Sequence, residues 1–213
     1  MKAYLVTEIN ENIGGVVFAK SPVEARRIGA SLYNDFEFAG LSVKRREDFD
    51  KYEESGVPAR LLIEEGWWFE CWNCDNTINE NYLEDEELFI DDVIGVVSGQ
   101  VFCHRGCQKE FEILKKRIKK TEKDIINKIK KQVIKNFGNI SIDKTHVYVR
   151  EIQGEIIVQQ CDVYFSFPEM KFGTAGFKYR PYDSQRDFVG PVQPEVWVYT
   201  GDLETFKKWR ERR

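Results

Sequence analysis

The sequence WWFECWNC, at residues 67–74, ends in two cysteines that lie three positions apart. The sequence VFCHRGC, at residues 101–107, contains a second pair, four positions apart. The four cysteines are Cys71, Cys74, Cys103 and Cys107. Structural zinc sites use four tetrahedral ligands, and pairs of cysteines at this spacing are typical of them. We therefore predict that the two pairs bind one Zn ion, which holds the middle of the chain together.

The alternative reading of these cysteines is a set of buried or redox-active thiols without a metal. The spacing of both pairs favours the metal site. A site made of four thiolates has no open position for a water molecule, so we expect the zinc to be structural and not catalytic. The fifth cysteine, Cys161, lies in an apolar strand pattern and is expected to be a small buried core residue.

Residues 102–111, FCHRGCQKEF, resemble the second half of the small treble-clef zinc fingers of the FCS-like, MYND-like and HIT-like families. In those fingers an aromatic residue, Cys, Ser, two variable residues and Cys lead into a helix. The resemblance covers about residues 67–115 and implies that a knuckle, a hairpin and a helix N-terminus supply the four ligands. His104 stands where those fingers usually have the capping Ser, and Asp75 stands where Gly commonly follows the first pair.

The predicted fold class is α+β, in three parts. Residues 1–58 are expected to form a ββαβ domain, residues 59–137 the four-cysteine zinc module with a long basic helix, and residues 138–213 a β-rich domain with a terminal helix. The first helix begins with a capping box, in which Ser21 is the N-cap and Glu24 is the third helical residue. The residues expected on its packing face are Ala25, Ile28, Gly29 and Leu32.

Three further local predictions concern the zinc module and the end of the chain. Residues 60–70 read as a strand that leads into the first cysteine pair. The dipeptide Ser98-Gly99 predicts a tight hairpin turn between two short strands. Asp202 is expected to cap the final helix, which covers residues 203–212.

A helix of unusual length is predicted from residue 105 to residue 137, because apolar residues recur there at a near-heptad spacing. Gly138 follows it as a glycine C-terminal to the last turn. At 1.5 Å per residue the helix would be about 50 Å long. The sequence leaves three interpretations open: a connector, a helix that forms a homodimer, or two helices with a break near Thr121.

Charge is distributed unevenly along the chain. Residues 1–107 contain 10 basic and 21 acidic residues, whereas residues 108–137 contain 11 basic and 4 acidic residues. The acidic residues concentrate between the two cysteine pairs, where they are candidates for binding a protein partner by charge complementarity. They are Glu80, Glu84, Asp85, Glu86, Glu87, Asp91 and Asp92.

The basic residues of the long helix are candidates for binding the phosphate backbone of nucleic acid. They are Lys115, Lys116, Arg117, Lys119, Lys120, Lys123, Lys128, Lys130, Lys131 and Lys135. The alternative is that they form the solvated face of an amphipathic helix, partly neutralised by the acidic segment. An isoelectric point near 5.5 and the scarcity of arginine argue against specific readout of bases.

Signals of catalysis are few, and we predict that the protein is not an enzyme. The chain has two histidines, neither of them paired with a nucleophile, and no phosphate-binding loop. The weakest alternative is a metal-dependent nuclease that uses Asp162, Glu169 and Lys171. Aromatic residues are frequent near the C-terminus and form either a binding surface or core. They are Phe165, Phe167, Phe172, Phe177, Tyr179, Tyr182, Phe188, Trp197 and Tyr199.

The chain contains no run of about 18 apolar residues and no secretory leader, so we expect a cytoplasmic protein without membrane contact. In general style it is similar to small accessory proteins of phages and mobile elements. The first hypothesis is a non-enzymatic, zinc-stabilised interaction protein, for example a phage-type modulator or inhibitor of a host defence complex. The second is a nucleic-acid-binding regulator that uses the basic helix.

Overall fold

The computed structural model has a mixed α+β fold, as the sequence predicts. The residues that it describes are 1–9, 13–152, 154–181 and 194–212. They divide into two compact units, Met1–Glu112 and Ile113–Arg213. The domain boundary predicted at residue 58 lies inside the first unit, and the one predicted at residue 137 lies inside the second.

The first unit contains seven strands, three helices and the beginning of a fourth helix within its described residues. They are β1 (Lys2–Glu8), β2 (Gly14–Ala19), α1 (Pro22–Tyr33), β3 (Leu41–Arg45), α2 (Ala59–Ile63), β4 (Phe69–Glu70), β5 (Thr77–Ile78), α3 (Glu80–Asp85), β6 (Ile94–Gly95), β7 (Val101–Phe102) and α4 (Arg105–Phe137). Two short 3-10 helices cover Glu47–Tyr52 and Ile90–Asp92. Helix α4 continues into the second unit.

The predicted ββαβ arrangement is confirmed at the N-terminus. The sheet has the strand order β2-β1-β3 and is antiparallel throughout. Tyr4 and Val6 face helix α1 on one side of the sheet. Ala3 and Val16 pack on the other side against Phe49, which the short 3-10 helix contributes. The sheet is therefore covered on both faces.

Helix α1 begins as the capping box predicts. The Ser21 hydroxyl accepts a hydrogen bond from the Glu24 N–H at 3.2 Å. The Glu24 carboxylate accepts one from the Lys20 N–H at 2.8 Å, one residue earlier than in the usual box. The first bond satisfies a donor that the first helical turn leaves free, and the second joins the residue before the cap to the helix.

The prediction of the α1 packing face is correct at Ala25 and Gly29, which are buried. It is wrong at Leu32, which is 61% exposed. A Cβ atom at Gly29 would lie 2.4 Å from Val6 Cγ1, so the glycine lets the helix approach β1 closely. The contact is centred on these small residues, with Ala30 also buried. Leu32 therefore lies beyond the edge of the contact.

The strand predicted at residues 60–70 is wrong over most of its length. Residues 59–63 form helix α2, and the strand is limited to Phe69–Glu70. Ala59, Leu62 and Ile63 are fully buried, and the spacing i, i+3, i+4 places them on one face of a helix. The short apolar run was ambiguous, because periodicity alone does not separate a buried strand from a short buried helix.

The hairpin around Ser98-Gly99 exists, but its turn is longer than two residues. Strand β6 pairs with β7 from Ile94 to Gly95 only. Val96 forms an isolated bridge with Pro58. The N–H of Val97 donates to the carbonyl of Val57 at 2.9 Å. Val96 and Val97 therefore pair with residues 57–58 and not with β7, so the hairpin pairing ends before the turn.

Helix α4 runs over 33 residues without a break at Thr121, so the interpretation of two helices is wrong. It ends as predicted at Gly138, whose φ is +67° and whose N–H donates to the Ile134 carbonyl at 2.6 Å. Its last turns bury Ile129 and Val133 in the second unit. Within the described part of the chain, no helix is both long and apolar enough to cross a membrane.

The second unit contains a four-stranded antiparallel sheet with the order β11-β10-β9-β8. Its elements are β8 (Ser141–Ile152), β9 (Glu155–Ser166), β10 (Ala175–Tyr179), β11 (Glu195–Val198), a 3-10 turn (Thr200–Asp202) and α5 (Leu203–Glu211). Phe137 from the end of α4 stacks on Phe165 with ring centroids 4.9 Å apart. Phe206 and Trp209 of α5 are buried in the same core. Cys161 is fully buried there, and burial raises the pKa of its thiol to about 11.

The aromatic residues near the C-terminus divide between core and surface. Phe165, Phe167 and Phe177 are buried, whereas Phe172, Trp197 and Tyr199 are exposed and Tyr179 is half-buried. Tyr182 and Phe188 lie outside the described residues. The core reading is therefore confirmed for the three buried residues, and a binding role for the exposed ones stays a prediction.

Asp202 does not cap helix α5 through its side chain, which corrects the sequence prediction. Its buried carboxylate accepts hydrogen bonds from the backbone N–H groups of Lys171, Phe172 and Gly173 at 2.9–3.1 Å. Burial alone would raise the pKa of Asp202, but these three donors lower it below its usual value. The contribution of Asp202 to stability is therefore present above the pKa of an unfolded aspartate and is lost as the pH falls through its folded pKa.

Candidate metal centre

The first cysteine pair lies on a tight knuckle between strands β4 and β5. The N–H of Cys71 donates to the Asn76 carbonyl at 2.9 Å, and the N–H of Asp75 donates to the Cys71 carbonyl at 3.0 Å. The N–H of Trp72 reaches across to the Val101 carbonyl at 2.9 Å. This last bond joins the knuckle to the hairpin that carries the second pair.

The second pair lies where strand β7 passes into helix α4. Cys103 directly follows the strand, and Cys107 occupies the third helical position. Strand β7 therefore positions Cys103, and the first turn of helix α4 positions Cys107. The knuckle, hairpin and helix N-terminus follow one another as the treble-clef resemblance implies.

The four sulfur atoms come together in one cluster. The Sγ atom of Cys103 lies 3.4 Å from that of Cys107, 3.6 Å from that of Cys71 and 3.8 Å from that of Cys74. All four sulfur atoms lie within 4.8 Å of one another. Disulfide-bonded sulfur atoms would be about 2.05 Å apart, so these are free thiols. The cluster is a site that could hold a metal ion.

The protein surrounds this cluster on most sides. Cys71, Cys103 and Cys107 are buried, whereas Cys74 is exposed. Ile63, Ile78 and other apolar side chains form the surrounding core. The cluster therefore lies within the core of the middle of the chain, where the strands are only two residues long.

The electrostatics of the cluster favour a bound cation. Burial raises the pKa of the Cys103 thiol, and it raises that of Cys107 to about 11. Burial also acts against ionisation of Cys71, but backbone N–H groups of Cys74, Cys103 and Asn73 donate to its sulfur and lower its pKa to about 7. Several adjacent thiolates repel one another at this distance, and a metal ion would supply the positive charge that lets them ionise together.

His104 caps helix α4, at the position where the treble-clef fingers that this stretch resembles usually have Ser. Its Nδ1 accepts a hydrogen bond from the Gly106 N–H at 2.9 Å, which is the bond that an N-cap side chain makes. The proton must then be on Nε2, which lies 3.8 Å from Cys107 Sγ. A Cβ atom at residue 106 would be 2.6 Å from the imidazole ring. The glycine therefore makes room for the histidine cap.

Side chains also attach the knuckle to helix α4. The Asn73 amide donates to the Glu110 carboxylate at 2.9 Å. The Phe111 ring makes edge contacts with Trp72 and a tilted contact with Phe102, at centroid distances of 6.2 and 5.4 Å. The sequence pattern does not predict the contacts of Asn73 with Glu110 and of Trp72 with Phe111, because the partners lie 37 or more positions apart.

Tyr82 is the supporting residue that sequence reasoning missed most clearly. Asn79 caps helix α3 by accepting the Tyr82 N–H at 2.8 Å, and the helix directs Tyr82 towards the cysteine cluster. A hydrogen bond from Asn76 lowers the pKa of the hydroxyl, but burial and the Cys103 thiol raise it to about 12. Tyr82 therefore keeps its proton. The Asn79 N-cap was the available signal for this helix.

Asp75 occupies the position at which the fingers that this stretch resembles commonly have Gly. Its φ is +60°, a left-handed conformation that Gly adopts without cost and that Asp tolerates better than most residues. The structure thus explains both the usual glycine and its replacement here.

We predict that Asp75→Gly leaves metal binding unchanged or slightly stronger, because it removes backbone strain at the knuckle. Asp75→Val should weaken metal binding by about tenfold or more, since a β-branched residue with positive φ costs on the order of 1–3 kcal/mol. Competition with a chromogenic chelator would measure both affinities. Equal affinities for the two variants would contradict this role of residue 75.

The acidic residues between the two pairs have different surroundings. Glu84, Asp85, Glu86 and Glu87 are exposed at the end of helix α3. Asp91 forms an ion pair with Arg60, and the Asp92 carboxylate accepts the Phe89 N–H at 2.8 Å. We call the four exposed residues the acidic surface; Asp91 and Asp92 have partners within the fold.

The basic residues of α4 are largely solvent-facing. Lys116, Lys119, Lys120 and Lys123 are exposed, and in the described part of the chain none of them forms an ion pair. Arg117 donates to the Gly154 carbonyl at 3.2 Å. Residues 108–128 contain no buried side chain. Glu110 and Phe111 contact the knuckle, and most of the rest of this stretch is open to solvent.

The carboxylates of the nuclease alternative have other partners. Asp162 accepts a hydrogen bond from Gln160, and Glu169 forms an ion pair with Arg212 at 3.0 Å. Over residues 1–9, 13–152, 154–181 and 194–212, the four cysteines are the one group of three or more potential ligands close enough to share a metal. No family model, curated protein or solved structure matches this chain.

Proposed function

We propose that the four cysteines bind one zinc ion with a structural role. A Zn–S bond of about 2.3 Å in a tetrahedron requires sulfur atoms about 3.8 Å apart. The three distances from Cys103, 3.4–3.8 Å, agree with this edge to within a few tenths of an ångström. Four thiolates prefer zinc to the harder cations calcium and magnesium. These sulfur–sulfur distances are the main support for the proposed zinc site.

We further propose that the protein has no enzymatic activity of its own and acts by binding another protein. Four cysteine ligands fill the tetrahedron, so the metal has no position for substrate or water. The acidic surface supports a binding role, since helix α3 holds it in place through buried Leu83 and through Tyr82 beside the metal centre. A basic patch, such as the nucleic-acid site of another protein, would complement it.

Capture of partners from a bacterial lysate, with charge-reversed variants as bait, would test this proposal. Glu84→Lys/Glu86→Lys reverses two charges of the acidic surface. The matched control Glu37→Lys/Glu64→Lys reverses two exposed charges of the same unit elsewhere. We expect a partner that wild type and control capture and that the acidic-surface variant loses. Equal capture by both variants would contradict a role for the acidic surface.

A second candidate function is binding of nucleic acid by helix α4. The exposed lysines without ion pairs and the absence of buried residues over 108–128 favour it. Each phosphate contact would add about −0.9 to the slope of log affinity against log salt concentration. The variant Lys116→Ala/Lys119→Ala/Lys120→Ala should flatten that slope by about two to three. Absence of DNA and RNA binding even at low salt would rule this function out.

We also propose a biological setting for this binding protein. A phage-type factor that modulates or inhibits a host protein in the cytoplasm would combine a small zinc-stabilised fold with an acidic binding surface. The open stretch of α4 also supports a homodimer through this helix, in which Ile113, 57% exposed, would be covered. Sedimentation of wild type and Ile113→Lys would distinguish a helix-mediated dimer from a monomer.

A further inference from the structure

The two edge strands of the N-terminal sheet differ in chemistry. Strand β3 carries Lys44 and Arg45, and such charges protect an edge from pairing with another chain. Strand β2 has the sequence Gly-Gly-Val-Val-Phe-Ala, without a charge or a proline. The edge that is chemically suited to accept a further strand is therefore β2.

The hydrogen-bond register identifies the outward backbone groups of β2. The Glu8 N–H donates to the Ile13 carbonyl at 2.8 Å, and bonded pairs alternate along an antiparallel ladder from that point. The bonded pairs are therefore Val6 with Gly15 and Tyr4 with Val17. The backbone groups of Val16 and Phe18 point away from β1. Among the residues that the structure describes, no backbone group is bonded to them on that side.

A groove of about 410 Å³ lies against this edge, with an apolar wall on one face of the sheet and a wall of mixed apolar and polar residues on the other. Helix α1 contributes Ile28 and Leu32 to one wall. Residues 53–57 and 96–98 form the other, where Val57 packs beneath the sheet in the same cluster as Val16. The exposure of Leu32, unexpected for a core residue, follows from its place in this wall.

We propose that an extended segment of a partner protein adds to β2 as a fourth strand in this groove. Its backbone would bond to Val16 and Phe18, and its alternate side chains would reach the two walls, as in strand addition to a sheet edge. The exposed carboxylate of Glu54 at the groove has no partner in the described residues, so a Lys or Arg of the segment should lie there. This inference rests on the proposed function as a binding protein and adds a site separate from the acidic surface.

Selection from a random eight-residue peptide library on the full-length, zinc-loaded protein tests the inference. We expect enriched peptides with apolar residues at alternate positions, at least one Lys or Arg, and no proline in the bonded stretch. Hydrogen exchange should show new protection of the Val16 and Phe18 amides when such a peptide binds, whereas the Val17 amide is protected already. Peptides that bind without protecting these two amides would overturn the proposal.

Three variants separate the groove from the rest of the surface. Leu32→Lys places a charge on the wall, and Val23→Lys is its control on the same helix, since Val23 is 79% exposed and does not line the groove. Val16→Pro removes an outward N–H and leaves the bonds to β1 in place. We expect Leu32→Lys and Val16→Pro to weaken the selected peptides by about tenfold, and Val23→Lys to leave affinity unchanged.

Several outcomes would overturn this assignment. They are the absence of any enriched peptide, equal affinity for the Leu32→Lys and Val23→Lys variants, and a wild-type dimer that Val16→Pro converts to a monomer. The last result would mean that a second copy of the chain covers the edge. The acidic-surface variant Glu84→Lys/Glu86→Lys should keep full peptide affinity. If no peptide binds the groove but Glu84→Lys/Glu86→Lys still loses partner capture, the groove assignment is wrong and the proposed function is unaffected.

Discussion

Cys103→Ser should abolish metal binding and unfold the zinc module. The Cys103 sulfur lies within 3.8 Å of the other three and is fully buried, so no other residue can replace it. Structural zinc contributes about 10–16 kcal/mol to folding in small zinc fingers. This equals or exceeds the roughly 5–15 kcal/mol by which whole domains are stable. We expect zinc per chain to fall to near zero and amide protection to disappear over residues 69–111.

Cys161→Ala is the matched control for this variant. Cys161 is equally buried, but it lies in the core of the second unit and outside the cluster. It should keep its zinc and the protection of residues 69–111, with a modest loss of stability in the second unit. Elemental analysis and hydrogen exchange on both variants provide the comparison. Full zinc content in Cys103→Ser would contradict the assignment of the ligands.

Phe165→Ala should destabilise the second unit by about 3–5 kcal/mol, the usual cost of removing a fully buried aromatic side chain. Phe165 has no exposed surface, and its ring stacks on Phe137 at the end of α4. The void would therefore lie where the helix meets the sheet. Hydrogen exchange in increasing urea would measure the opening free energy of β8 and β9 directly.

The exposed neighbour Phe172 supplies the control for this core position. It is 66% exposed, so Phe172→Ala should change the same opening free energy by only about 0.5 kcal/mol or less. A similar loss in both variants would mean that the aromatic residues of the second unit act together and that the division into core and surface is incorrect.

The features that the sequence predicts correctly are those fixed by local chemistry. The capping box at Ser21, the glycine after α4 and the spacing of the cysteines each need only neighbouring residues. The length of α4 follows from its apolar periodicity, which continues through Thr121. These elements are confirmed because no distant contact competes with them.

The features that the sequence does not predict depend on distant contacts. Residues 59–63 are helical because their buried side chains reach distant parts of the chain. Ala59 and Ile63 pack in a core built from later elements, and Leu62 packs in the cluster beneath the N-terminal sheet. The turn after β6 is long because Val96 and Val97 pair with residues 57–58. The sequence identifies the acidic segment only by its charge, whereas its Tyr82 and Leu83 pack in the core that contains the cysteine cluster. Asp202 likewise binds a loop 29 or more residues away and not its own helix.

We propose that a structural zinc ion holds the first unit together. Elemental analysis of freshly purified protein, followed by hydrogen exchange before and after treatment with a strong chelator, tests this directly. We predict one zinc ion per chain, loss of protection over residues 69–111 on its removal, and recovery when zinc is restored. Protein that contains no zinc and shows no change on treatment with chelator would contradict the claim.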